Sequence, residues 1–228
     1  MSAARRTAAL GLAAGVLLLG GCGDFEQAAA AQGIARNDLV TELATQLSGS
    51  ATRTYAAGYR LPGGGRAEVV QAQDPPRTSF AYPGGRLLVR DDTVTQCREA
   101  AEPTCTVTTP PRGGGALPAT AYAGPQRTGL VAPATVLALL NAAALDAAVT
   151  VTSRDTTIAG HHATCVDLDG VNDERSREFR TCVTNDGVLG SFTGTLDGRA
   201  VDMTMTEFSS RAPAGAFDLP PGARMVNA

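Results

Sequence analysis

The chain has 228 residues, with 19 basic against 22 acidic side chains and a net charge of −3. That length suits one domain with a sizeable apolar core, and the acidic balance excludes a nucleic-acid surface, which needs basic patches. Aromatic residues are 4% of the chain and tryptophan is absent, so a glycan module that stacks sugar rings on aromatic side chains is disfavoured.

Arg5 and Arg6 precede an apolar run from Thr7 to Leu19. The run is roughly 13 residues, where a membrane-spanning helix needs about 20, so it has the length of a signal-peptide hydrophobic region. It ends in Leu19-Gly20-Gly21-Cys22, which resembles the lipobox of bacterial lipoproteins: an aliphatic residue, two small ones, then the modified cysteine. The resemblance implies a signal peptide over 1–21 and a Cys22 that carries lipid, palmitate among its acyl chains. The mature chain would then sit on the extracytoplasmic face of the cell membrane. Two acyl chains anchor stably where one gives marginal binding. Whether the Arg5-Arg6 pair directs twin-arginine rather than general export stays open.

Residues 22–36 are rich in Ala and Gln without a sustained amphipathic pattern and read as a flexible tether. A first helix is expected from Asn37 or Asp38, either of which can cap it, to about Leu47, with Leu39, Val40, Leu43 and Leu47 on one face. Strands follow over 53–61, 66–73, 78–82, 86–90, 93–97 and 105–109. Their connections are short and turn-rich, Pro62-Gly63-Gly64-Gly65 and Tyr82-Pro83-Gly84-Gly85 among them, so the meander is antiparallel. The stretch from Pro110 to Ala132 has no period and reads as a functional or disordered loop.

Pro133 opens a second helix to about Ala148, in which only Asn141 and Asp146 are polar after the first turn. A helix apolar on nearly every side is expected to be covered on nearly every side. Strands resume over 149–158, 162–169, 178–184, 188–193 and 200–208, and Phe217-Asp218-Leu219-Pro220 closes a single domain over 37–228. The count gives α+β, with one large antiparallel sheet of about ten strands and two or so helices.

Besides Cys22, four cysteines remain: Cys97, Cys105, Cys165 and Cys182. An even number in an exported chain favours disulfides, and pairing near neighbours gives Cys97–Cys105 and Cys165–Cys182. Placing Cys165 opposite Cys182 in a hairpin also sets Asp167 against Arg180 and Leu168 against Phe179, with the turn inside the polar 169–177 stretch. One register thus satisfies turn, apolar face and charge pair together. Zinc is the rival, but neither pair has metal-ligand spacing.

The plan resembles the periplasmic lipoprotein-carrier fold, whose relatives include LolA, LolB, the sensor domain of MucB/RseB and the mycobacterial LppX/LprG lipoproteins. The matching features are a helix before the first long strand, Tyr59 to Phe80 with its Asp74-Pro75-Pro76-Arg77 turn, Ile158-Ala159-Gly160 before Cys165, and the closing Phe217-Asp218-Leu219-Pro220. That resemblance implies a curved, incomplete β-barrel with helices on its concave side around an apolar cavity for acyl chains. It implies no cofactor, and no family functional residue carries over by position.

Two readings of the second helix stay open: a fully packed core element, or one wall of a lipid pocket. In the second, Val136, Leu137, Leu140 and Ala144 would line the site with Met203 and Met205, whose flexible thioethers adapt to a mobile chain. Chemistry-bearing groups are sparse. His161 and His162 read as strand-end histidines; no Gly-x-Ser-x-Gly elbow accompanies them, and no set of ligands completes a metal site. Asp169, Asp173 and Glu174 do not follow the calcium-loop pattern. Gly63-Gly64-Gly65 and Gly113-Gly114-Gly115 do not follow a phosphate loop. The expectation is a non-enzymatic envelope lipoprotein that binds a lipid, glycolipid or other acylated ligand. The alternatives are an interaction or sensor module with a filled core and a protein partner in the envelope, and, third, a hydrolase using His161 or His162.

Overall fold

The computed structural model describes residues 23–110 and 117–227. The expected signal peptide, Cys22 and Gly113-Gly114-Gly115 therefore lie outside the described residues. The first helix, α1 (Gly23–Gly49), is longer than its amphipathic part suggests. Val40, Leu43, Ala44 and Leu47 are buried at helical spacing, and Leu39 is half-buried. The expected tether over 23–36 is instead the first half of this helix. Ala28–Ala31 with Glu26, Gln27 and Gln32 are strong helix formers, so propensity carries the helix where no apolar stripe exists. A 3₁₀ turn, Ser50–Thr52, ends it, and the Ser50 hydroxyl donates to the Leu47 carbonyl at 2.7 Å.

Twelve strands form one open sheet. They are β1 (Tyr55–Arg60), β2 (Arg66–Gln73), β3 (Pro76–Tyr82), β4 (Gly85–Arg90), β5 (Val94–Arg98), β6 (Thr104–Thr108), β7 (Thr150–Ile158), β8 (His161–Asp169), β9 (Glu178–Thr184), β10 (Leu189–Leu196), β11 (Arg199–Ser209) and β12 (Arg224–Asn227). Their spatial order is β12-β6-β5-β4-β3-β2-β1-β11-β10-β9-β8-β7. Two meanders, β1–β6 and β7–β11, join through the antiparallel β1–β11 pair. Among the described residues, only the β12–β6 pair is parallel. The unanticipated β12 has just Met225 and Val226 as apolar residues; its pairing depends on distant Thr104–Val107, which local pattern does not reveal.

The sheet curls. Cα atoms of β7 and β11, four places apart in strand order, approach within 8 Å, and the His161 ring lies 4.6 Å from that of Phe208. Ala159 (φ 49°) and Gly160 (φ 82°) form the tight turn between β7 and β8, the positive-φ pair that matches hairpin twist.

The expected β8–β9 register is the observed one: Cys165↔Cys182, Asp167↔Arg180 and Leu168↔Phe179. Both disulfides join directly opposed residues, with Cα separations of 4.0 Å (Cys97–Cys105) and 3.9 Å (Cys165–Cys182). Arg180 Nη2 donates to Asp167 Oδ2 at 3.1 Å, and Arg154 joins the same carboxylate.

The stretch expected as a structureless loop to Ala132 is partly folded. It holds a 3₁₀ turn, Ala119–Tyr122, the short helix α2 (Ala123–Arg127), and three fully buried residues, Leu130, Val131 and Ala132. Helices this short leave no period to read. The third helix, α3 (Pro133–Ala144), packs against α1. Thr135, Val136, Leu139, Leu140 and Ala143 are buried. The expectation of cover on nearly every side is corrected: Ala134, Ala138 and Asn141 are exposed, and Leu145 just beyond the helix is 90% exposed. Alanine methyls carry so little apolar area that leaving them wet costs little.

The main core lies between α1, α3 and the inner face of the sheet, where Tyr55, Tyr59, Val69, Phe80, Leu87, Val166, Phe179, Phe192, Met203 and Met205 gather. A smaller patch on the other face, Ala56, Val70 and Ala72, is covered by Phe217. The Arg77 guanidinium sits 4.3 Å from the Phe217 ring centroid. Arg86 donates to the carbonyls of Ala216 (3.3 Å) and Asp218 (3.1 Å), and Arg90 to that of Phe217 (3.1 Å). The C-terminal segment is thus strapped across the outside of the first meander.

Candidate functional site

An apolar pouch of about 200 Å³ opens where the C-terminal end of α1 and the first turns of α3 meet the inner face of β1–β4. Strand alternation puts Val69 and Gln71 of β2, Thr78 and Phe80 of β3, and Val89 of β4 on one face. Leu47 comes from α1, and Pro133, Ala134 and Leu137 come from α3. Tyr122 closes one side, its ring edge-on to Phe80 at 5.7 Å. At the rim, Gln71 Nε2 donates to the Ser50 carbonyl at 2.9 Å, which ties the sheet to the end of α1.

The tyrosines show how dry this region is. Burial pushes the Tyr55 phenol up to about 12 and that of Tyr59 well above its ordinary value; burial also raises Tyr122. Tyr59 satisfies its hydroxyl by donating to the Leu189 carbonyl at 2.8 Å, as a buried donor must.

Of the six residues expected to line a lipid site, Leu137 lines the pouch. Val136, Leu140, Met203 and Met205 lie fully inside the main core, and Ala144 is half-buried against it. The structure therefore brings all six to one core but sets one of them against open space. The aromatic wall of Phe80, Tyr55 and Tyr122 was missed. Phe80 and Tyr55 carried a signal, since both alternate onto apolar strand faces; Tyr122 carried none, because its position depends on the α2 connection.

The histidines have partners that spacing did not suggest. His161 Nδ1 lies 2.7 Å from Asp186 Oδ2, and His162 Nδ1 lies 3.2 Å from Asn185 Oδ1. Arg53 reaches the Asp186 carbonyl at 3.0 Å. These contacts fasten the tip of the β7–β8 hairpin to the β9–β10 turn. Among the described residues, no group of three or more His, Cys, Asp or Glu side chains is arranged to hold a metal ion. Among them, too, no helix is long and apolar enough to cross a membrane.

No family model and no curated protein matches the chain. Among solved structures, the fold is similar to that of an uncharacterized conserved protein from Thermus thermophilus. The match has a TM-score of 0.51 at 8% identity and covers 82% of this chain and 98% of that one. At that identity the likeness concerns fold alone.

Proposed function

We propose that this chain is an exported lipoprotein, held on the extracytoplasmic face of the cell membrane by lipid on Cys22, whose domain binds the apolar end of a lipid, glycolipid or other acylated ligand without catalysing a reaction. The observation that carries the reading is the apolar pouch at the α1–α3 junction, lined by Leu47, Val69, Phe80 and Leu137 and open beside polar Ser48 and Gln71. An amphiphile asks for that arrangement: an apolar interior with a few polar groups at the rim.

Magnitudes limit the ligand. The pouch, about 200 Å³, is smaller than the ~300–1,000 Å³ of sites that enclose a whole small molecule. At ~30 Å³ per water-sized group it holds about six methylenes, a gross gain of about 5 kcal/mol at ~0.8 kcal/mol each. Association costs consume much of that. Tight binding therefore needs either a second contact for the head group or a swing of α3 away from the sheet.

The test is lipid extraction and mass spectrometry of the exported Cys22→Ser chain, purified without detergent. A stoichiometric acylated molecule, lost in Leu137→Glu at unchanged fold, is the expected result. A clean protein that stays empty after incubation with host membrane lipids would sink the reading. A second reading is favoured by the complete burial of Val136, Leu140 and Met203: a filled-core interaction or sensor module with a protein partner in the envelope. In that case cross-linking in intact membranes yields one defined partner, and Leu137→Glu leaves it unchanged.

A further inference from the structure

The inner face of the sheet changes character at its β5–β6 end. Leu87 of β4 belongs to the core, but its neighbour across the pair is Gln96. Beyond it, Gln96 faces Thr106, and Arg98 faces Thr104. Side chains two apart share a face, so Gln96, Arg98, Thr104 and Thr106 form a polar floor beside the apolar core residues of that face. Helix α2 lies over this floor. Its Gly124 comes so close that an added Cβ would overlap Tyr82 Oη and fall 2.6 Å from Gln96 Nε2, so a larger residue there would push the ends of these two side chains aside.

Between floor and helix is a cleft of about 430 Å³, to which α2 and its C-terminal neighbour contribute Arg127 and Thr128. Among the described residues, Arg98 and Arg127 are the two charged residues that line it, and no carboxylate does. Among the described residues, neither arginine has a carboxylate within 4.0 Å. Glu99, next to Arg98 in sequence, is 3.9 Å from Arg86 Nε instead. Burial raises the Tyr82 phenol on the cleft wall; a hydrogen bond from Gln96 and the charge of Arg127 partly offset that rise, and the charge of Glu99 adds to it. A chain of net charge −3 thus concentrates two arginines, four threonines and a glutamine around one void.

We propose that this cleft is an anion-binding site for a phosphate group, either free phosphate or the phosphodiester of a lipid head group. Guanidinium forks match the oxygen spacing of phosphate bidentately. The hydroxyls of Thr104, Thr106 and Thr128 and the Gln96 amide supply further donors for a tetrahedral oxyanion, more than a planar carboxylate uses. The inference does not rest on the acyl reading of the pouch. The pouch lies on the Tyr122 side of the same α2 segment, so the two sites are separable by mutation.

The test follows side-chain Nε–Hε signals of Arg98 and Arg127 and the Gln96 amide by NMR, on the full chain in a neutral detergent. Inorganic phosphate is titrated in one arm, and phosphatidylglycerol doped into the micelles in the other, each against chloride at equal ionic strength. The expected result is a saturable shift of these signals in at least one arm, with affinity falling more than tenfold in Arg98→Gln and in Arg127→Gln while Leu137→Glu leaves it unchanged. Response in the phosphate arm identifies a free-anion site; response confined to the phosphatidylglycerol arm identifies a head-group site. Shifts that chloride reproduces, or that persist in the Arg98→Gln/Arg127→Gln double variant, would overturn the proposal. So would silence in both arms. Where a variant loses spectral dispersion, Arg98→Lys, which keeps the charge and removes the fork, supplies the comparison.

Discussion

Single residues show how a chain with few aromatics still forms a dry interior. Tyr59 spends its hydroxyl on the Leu189 carbonyl, so Tyr59→Phe leaves that buried carbonyl without its donor. The expected cost is about 1–2 kcal/mol, read from the midpoint of urea unfolding. Tyr55 and Tyr59 also set an alkaline limit. A phenol whose folded value is raised holds its proton in the fold after the unfolded chain has lost it. The stability from keeping these rings neutral is complete below pH 10; for Tyr55 it is lost as pH rises toward about 12, and the Tyr59 phenol, also raised by burial, adds to the same alkaline loss. At ~1.4 kcal/mol per unit, Tyr55 alone contributes about 3 kcal/mol to that loss. Unfolding midpoints should therefore be flat from pH 8 to 9.5 and fall steeply by pH 11, with tyrosinate absorbance rising in the same cooperative step. A gradual rise in absorbance ahead of unfolding would show that the two rings are wet.

The elements differ in how far their own residues specify them. The β8–β9 hairpin is over-determined, because turn, charge pair, apolar face and disulfide all fit one register. Closing that loop constrains the unfolded chain by about 3 kcal/mol in a loop-entropy account, so Cys165→Ser/Cys182→Ser should lower unfolding free energy by roughly that amount with the register intact by NMR. Helix α1 is specified in two ways: its second half by an apolar stripe, its first half by a run of strong helix formers. Among residues of described burial, Val40 is the first that is fully buried. Helix α3 is the opposite case. Leu140 has no exposed surface, and Leu140→Ala should cost about 2–5 kcal/mol. A loss under 1 kcal/mol would mean that the core beneath α3 is loose enough to collapse around the gap.

For the whole molecule, most of the architecture was legible. The expected sheet of about ten strands is one of twelve; the strands read from alternation and turn residues are present within a few residues of their expected ends, and both disulfides join the expected partners. The candidate site was much less legible. Apolar composition marked α3 as important, but did not distinguish Leu137, which faces the pouch, from Val136 and Leu140, which face the core. Helical rotation by one residue decides between them, and only the direction from which α1 and the sheet approach fixes that rotation. By itself the sequence determined the strand alternation, the β8–β9 register, the cysteine pairing and the apolar character of α3, because each depends on residues near in the chain or on a period of two. The tertiary structure decided the curl that brings His161 to Phe208, the parallel docking of β12 on β6, and the division of the concave face into an apolar pouch and an arginine-lined cleft. Those features join residues far apart in sequence, and their geometry follows from packing, which no local pattern encodes.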